Sequence, residues 1–328
     1  MRPHHSAATA NQASVAKAGV RDSPRISHDH IKERPMTDRA EITKTWKLFI
    51  GGAYPRSESG RVLPVHDVHG RAGSRAIAYA AHASRKDLRD AVEAARGAQE
   101  RWVASSGLLR GQILYRLAEI LDGRRAELVD AVRMGGRLGR GKARLEVELS
   151  LDRIVSFAGW CDKLEIVMGG RNPVAGPFHC FSQIEAVGVV AVFAPEEHPL
   201  LGFLSLVLPA LACGCSVVAV ASASEPVPAL IVSESAPSSD IPAGVLNLLT
   251  GTHEELVPIA AAHRDIDAVV AAVPQELATT LQVGIAENMK RVRLIDPRAA
   301  FTDESAWNDP RAFMGVTEVK TVWHSIGI

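Results

Sequence analysis

The chain reads as an α/β protein built on a doubly wound parallel sheet, and three observations predict it. Continuous apolar runs of strand length recur through its second half, the first being Val189-Val-Ala-Val-Phe193. Such a run fits a strand buried on both faces. Helix-length segments separate the runs, and Gly214 stands where the helix after the first strand must end. Strands alternating with helices at this spacing form βαβ units and hence a parallel sheet.

Residues 1–35 show no periodicity and are rich in Ala, Ser, His and Arg. A transit-like leader is one reading; a disordered extension, with Met36 as the true start, is the plainer one and is preferred. His4-His5 and His28-Asp29-His30 are then solvated tail. Order begins at Trp46-Lys-Leu-Phe-Ile-Gly-Gly, an extended run closed by a turn. Ser84-Arg-Lys-Asp87 has the Ser-x-x-acid form of a helix start, and Leu88, Ala91, Val92, Ala95 and Trp102 follow at helical spacing. One helix carries Ile113, Leu114, Leu117, Leu121 and Leu128, and another Val147, Leu151, Ile154, Val155 and Ala158. Each has the single apolar stripe of a helix that covers a sheet.

The pattern changes after Gly169-Gly170. Strands are expected at 189–193, 216–220, 245–249, 268–273 and 292–295, with helices at 200–212, 226–235, 254–262 and 275–289 between them. Residues 296–315 read as a loop containing Pro297 and Pro310. Val316-Thr-Glu-Val-Lys-Thr-Val-Trp323 alternates as a half-exposed strand does. The expected division is therefore an extension over 1–45, a domain over 46–295 whose sheet part starts near 186, and a linker with a terminal strand over 296–328.

Composition excludes some function classes. The 37 basic residues balance 37 acidic ones, so no net field favours nucleic acid or an anionic membrane. The most apolar stretch, Leu200 to Cys213, is too short to span a bilayer. Cys161, Cys180, Cys213 and Cys215 form no disulfide-like pattern, which points to a reducing cytoplasm. Cys213-Gly-Cys215 lacks the second pair that a metal site needs and reads as buried thiols. His66-Asp-Val-His69 is read as facing water, so no metal site is expected.

Four segments in order carry a resemblance to a known family. Gly188-Val-Val-Ala-Val-Phe-Ala-Pro195 resembles the strand that leads into the Pro-Trp-Asn-Phe-Pro turn of aldehyde dehydrogenases. Pro209-Ala-Leu-Ala-Cys-Gly-Cys-Ser-Val-Val218 is similar to their Pro-Ala-Leu-Ala-x-Gly-Asn-x-Val-Val element. Pro242-Ala-Gly-Val-Leu-Asn-Leu-Leu-Thr-Gly251 and Arg110-Gly-Gln-Ile-Leu-Tyr-Arg-Leu-Ala118 resemble two further family segments. The resemblance implies a Rossmann-like cofactor domain, a catalytic domain and a β oligomerisation flap, with Val316–Trp323 as the flap strand. It also makes Phe193, Ala194 and Pro195 the weak family-position candidates for contact with NAD(P).

The departures bear on chemistry. The family turn reads Pro195-Glu196-Glu197-His198-Pro199 here, so Glu197 stands where the family's Asn donates to the oxyanion. Loss of one such donor typically costs ~2.7–4 kcal/mol of transition-state stabilisation, and a carboxylate adds repulsion. No cysteine follows Cys215, although the resemblance implies a nucleophilic Cys well beyond residue 295. Ile295-Asp-Pro-Arg-Ala299 replaces the segment of the general-base Glu. Val220 and Ala223 replace the Lys and Glu that reach the adenine ribose. Ala271–Ala278 holds none of the glycines with which the family's helix start approaches the pyrophosphate, and Glu276 adds the wrong charge there. Most of the catalytic domain is absent between 295 and 316, as in the truncated second domain of one two-domain subfamily.

Two functions are consistent with this. The favoured one is a non-catalytic subunit or scaffold, without a firm cofactor, in a homo- or hetero-oligomer with an active aldehyde dehydrogenase. The other is an NAD(P)-dependent aldehyde dehydrogenase that oxidises aldehydes to carboxylic acids. A new acid–base site at Glu196, Glu197 and His198 is a sharper reading than family drift, which explains them equally well. Removal of the catalytic domain is expected to leave apolar surface bare, with the flap strand seeking a neighbouring subunit.

Overall fold

The computed structural model describes residues 43–66 and 76–327. Asp67–His69 of the His66–His69 motif, the histidines of the first 42 residues and Met36 lie outside the described residues. The described chain opens with a small sheet of β1 (Thr45–Trp46), β2 (Val62–Val65) and β3 (Ala78–Ala81), in the order β1-β3-β2. Next comes α1 (Arg85–Val103), whose capping box is complete. The Ser84 hydroxyl accepts from the amides of Lys86 and Asp87, and the Asp87 carboxylate accepts from the Ser84 amide at 2.7 Å.

The single helix expected over 113–128 is two helices, α2 (Gly107–Gly123) and α3 (Arg125–Met134). Arg124 makes the break. Its guanidinium bridges Glu127 on α3 and Glu234 on a distant helix, at 2.8 and 2.9 Å. That tertiary tie overrides a continuous apolar pattern. α4 (Arg140–Trp160) buries Val147, Leu151, Ile154 and Ala158 as expected, but Val155 faces solvent. α5 (Leu164–Met168), β4 (Gly170–Asn172) and β5 (Phe178–Ala186) follow.

The large sheet comprises β6 (Val189–Phe193), β7 (Ser216–Val220), β8 (Leu246–Leu249), β9 (Ala268–Ala271) and β10 (Arg291–Leu294). Its order is β10-β9-β6-β7-β8, and every pairing is parallel. The connections are α6 (Leu201–Cys213), α7 (Val227–Ser235), α8 (His253–Ala262) and α9 (Gln275–Ile285). Alternate strand residues feed two cores. Val190, Val192, Val217 and Ala219 join the core with α2, α3, α4, α6 and α7, whereas Val189, Ala191, Phe193, Val218 and Val220 join the core with α1, α8 and α9. This is why these strands read as unbroken apolar runs. α6 ends where Gly214 takes φ +102°, a left-handed cap that glycine adopts without Cβ strain.

Residues 296–315 are not the plain loop the sequence predicts. They contain α10 (Glu304–Trp307) and a 3-10 turn over Pro310–Phe313. Phe301 and Trp307 stack with centroids 5.1 Å apart, and Phe313 meets Phe157 and Trp160 of α4 edge-on at 5.6 and 5.9 Å. Arg153 of α4, fully buried, donates to Ser205 Oγ (2.5 Å), the Phe301 carbonyl (2.9 Å) and Glu304 (2.6 Å). This segment therefore packs on α4.

The terminal strand β11 (Thr317–Ser325) runs antiparallel to β5 over nine residue pairs, from Thr317–Ala186 to Ser325–Phe178. The flap strand finds its first partner within the chain rather than on a neighbouring subunit. Its other side remains the open edge of the sheet β11-β5-β4.

Candidate functional site

Connections diverge to both sides of β6, through β7 and β8 one way and through β9 and β10 the other. In open α/β sheets ligands bind beyond the carboxyl ends of the strands at such a reversal. A cleft of about 680 Å³ lies there, lined by Glu196, Glu197, His253, Gln275, Asp296 and Arg298 among others. Its lining thus includes three acidic residues and one arginine. A cleft of similar size, about 700 Å³, opens between the start of α1 and the end of α8, away from the strand ends.

The loop after β6 is fastened to its neighbours by Glu196. Its carboxylate accepts hydrogen bonds from Ala223 N (2.9 Å), Ser224 N (3.1 Å), Ser222 Oγ (2.8 Å) and Ser224 Oγ (2.5 Å), all in the loop between β7 and α7. Burial disfavours the charged form, but these hydrogen bonds outweigh it, led by that of Ser224, and hold the carboxyl below its ordinary range. Arg137, in the α3–α4 loop, crosses over the same place. It donates to the Glu196 carbonyl (3.1 Å) and Ser224 Oγ (3.0 Å), and its Nε lies 2.9 Å from Glu225 Oε1.

The last contact is Coulombic only, since Glu225 Oε1 accepts no aligned hydrogen bond. Glu225 is 3% exposed, and Gly135 packs so close that a Cβ there would collide with its carboxyl. Burial pushes the Glu225 carboxyl up to about 7, Arg137 opposes the rise, and Glu146 and Glu196 add to it.

His198 sits at φ +55°. Its Nδ1 lies 3.1 Å from Glu146, a buried carboxylate that also accepts from the amides of Leu200 and Leu201 at 3.1 and 3.3 Å. The hydrogen bond to Glu146 raises the His198 pKa against desolvation. Glu197, at the family's oxyanion position, is exposed. The three residues Glu196, Glu197 and His198 therefore do not converge. Glu196 turns into the β7–α7 loop, His198 turns to α4, and Glu197 faces the cleft.

The weak cofactor candidates lie deep. Phe193, Ala194 and Pro195 are buried, the Phe193 carbonyl accepts from Ala272 N, and Ala194 N donates to Val220 O, both at 3.0 Å. The Phe193 ring packs edge-on to His253, whose Nε2 lies 3.1 Å from the Ala221 carbonyl. α9 starts at the cleft after Pro274, with no side-chain cap and with Glu276 in its first turn. All four cysteines are free and buried, and burial pushes the Cys161 thiol up to about 12. Cys213 and Cys215 lie 3.6 Å apart at sulfur, both directed at the Val316 carbonyl. Sequence reasoning did not single out Arg137, Glu146 or Glu225. Arg137 lies within the Gly-rich stretch 135–141, Glu146 follows it and Glu225 follows Ser224, but their convergence is a property of the tertiary fold.

The fold and the crevice at its strand reversal define a doubly wound α/β protein of the dinucleotide-binding type, with carboxylates at its ligand edge. The aldehyde dehydrogenase family model matches residues 57–295. Retinal dehydrogenase 2 of Homo sapiens is 31% identical over 274 residues, which is 81% of this chain and 51% of that protein. Aldehyde dehydrogenase, cytosolic 1 of Elephantulus edwardii is 28% identical over 253 residues, 76% of this chain and 49% of that one. The crystal structure of an NAD-dependent aldehyde dehydrogenase from Sinorhizobium meliloti superposes with a TM-score of 0.73 at 26% identity, covering 78% of this chain and 50% of that chain. This chain belongs to the aldehyde dehydrogenase family. It spans about half the length of the relatives it matches.

Proposed function

We propose that this chain is a non-catalytic member of the family, a subunit or scaffold that pairs with an active aldehyde dehydrogenase. One observation carries the reading. The two amides and two hydroxyls of the β7–α7 loop, at the family's ribose-contact segment, all bond the chain's own Glu196. A dinucleotide would have to displace a buried carboxylate there, and then meet Glu197 and Asp296 across the cleft. The residues present do not fit NAD(P), so no oxidation step is derived through it.

The open edge of β11, with Val319 62% and Trp323 59% exposed, supports assembly by strand addition. Four free thiols support a reducing compartment, and we assign the cytoplasm. Among the described residues no helix is long and apolar enough to cross a membrane.

Calorimetry with NAD+ and NADP+ is expected to show no micromolar binding, and the purified chain no aldehyde-dependent reduction of either. A micromolar Kd, about −8 kcal/mol, would require contacts that Glu196 now blocks and would overturn the reading. Sedimentation with a full-length aldehyde dehydrogenase is expected to give a mixed oligomer, lost on replacing Val319 and Trp323 by Lys. A monomer that ignores both the partner and the substitutions would sink the assembly half of the proposal.

A further inference from the structure

A second concavity lies in the small N-terminal sheet and shares no residue with the crevice. It is a cleft of about 310 Å³ lined by Trp46, Lys47, Arg56, Ser57 and Arg61, with Ala81 among its remaining wall residues. Three cationic side chains line it and no carboxylate does.

Arg61 is partly committed. Its Nη2 bonds Glu255 at 2.8 and 3.1 Å and lies against the His82 ring, while Nε and Nη1 make no hydrogen bond among the described residues. The Ser57 hydroxyl is held 2.8 Å from Asp87 and 2.9 Å from Ser59. Lys47 and Arg56 form no ion pair among the described residues. Their neighbour Lys44, by contrast, is paired with Glu234 at 3.0 Å and sits over the Trp46 ring at 3.1 Å. In a chain of zero net charge, two uncommitted cations and a half-committed guanidinium facing one cleft make a local positive field.

Val62, 47% exposed, gives the cleft an apolar wall beside the nearly buried Trp46 and Ala81. Cations and an apolar wall suit an anion that carries an organic body. We propose that this cleft binds a small phosphorylated compound, its phosphate held by Lys47 and Arg56 with the remaining donors of Arg61, and its organic part resting against Val62. Arg offers a planar fork and Lys a point charge, a combination that matches phosphate oxygens.

The test is calorimetric titration of the full chain with inorganic phosphate and with glycerol 3-phosphate at low salt. Binding is expected with Kd on the order of 1 mM or tighter. Each of Lys47→Ala and Arg56→Ala is expected to weaken it roughly tenfold, as loss of a charge-assisted contact does. Lys142→Ala, which removes an exposed cation elsewhere, is expected to leave it unchanged. Both cleft side chains are exposed, so the variants should keep the parent's circular dichroism and urea midpoint. Absence of binding, binding that survives the double substitution, or equal loss in Lys142→Ala would each overturn the proposal. Tighter binding of glycerol 3-phosphate than of inorganic phosphate supports the organic subsite, and equal affinity removes that part.

Discussion

The interior of the large sheet and its carboxyl edge have parted company. In the interior, β6 through β9 bury every residue, and the fold superposes on a solved relative with a TM-score of 0.73. At the edge, a few residues further on, the family resemblance puts Glu197 at the oxyanion position, Glu276 in the pyrophosphate segment and Asp296 in the segment of the general-base Glu, while Glu196 bonds the loop after β7. The interior is held by close packing, which punishes any change of volume. The edge is held by hydrogen bonds that a new side chain can satisfy in a new way, as Glu196 does. A fold can therefore keep its shape while the groups that carried its chemistry are replaced.

The comparison breaks first if the interior is not the rigid part. Phe193→Ala is expected to cost about 3–5 kcal/mol in urea unfolding, because the ring is fully buried against His253. A loss under about 1 kcal/mol would mean that the site collapses around the cavity and that packing is looser than described.

The next effect concerns pH. Well below the ordinary carboxyl value of 4.5, Glu225 carries its proton both folded and unfolded and imposes no penalty. Between 4.5 and about 7 the unfolded chain loses that proton while the native one keeps it, so stability falls as pH rises. Above about 7 the penalty is complete, on the order of 3 kcal/mol. Glu225→Gln should flatten this fall between pH 4.5 and 7. A weaker fall in the same direction should persist at higher pH. His198 is raised by Glu146, so its contribution is present below the unfolded histidine value and lost as pH rises through the folded one. Urea midpoints at several pH values check this, and an unchanged slope would show that Arg137 fully compensates Glu225.

Glu196→Ala should cost about 1–3 kcal/mol, because the amides of Ala223 and Ser224 lose their acceptor. The same variant sharpens the functional reading. Should NAD+ bind to it and not to the parent, Glu196 is what blocks the loop. Met289→Gly is the smallest change. Met289 is 94% exposed at φ +56°, so glycine should add roughly 0.5–1 kcal/mol, read as a small rise in Tm.

The sheet was legible because strands buried on both faces carry their own signal; 216–220 is read to the residue, and 189–193 likewise. The start of α1 was legible because its capping box lies within four residues. β5 carries only a broken alternation, because Phe181 and Ser182 fall out of phase with Cys180 and Ile184, so no strand is predicted there. The packing of residues 296–315 was not legible, since Phe301, Trp307 and Phe313, six residues apart, form no helical stripe and find their partners on α4 and α6. In the site, the loss of family residues could be read directly. What replaced them could not, because Glu196, Ser224 and Arg137 meet only in the folded chain.

The pairing of β11 with β5 has a consequence for biogenesis. Phe178 and Ser325 are partners, so the flap cannot close until nearly every described residue has left the ribosome. Until then β5 has only the short β4 beside it, and its far side is an unsatisfied ladder. Closure late in synthesis makes this contact of long sequence separation a slow step relative to the local helices. From the synthesis of Ala186 to that of Thr317 the nascent chain thus carries a sticky strand that a chaperone, or another chain's flap, can reach before its own partner does.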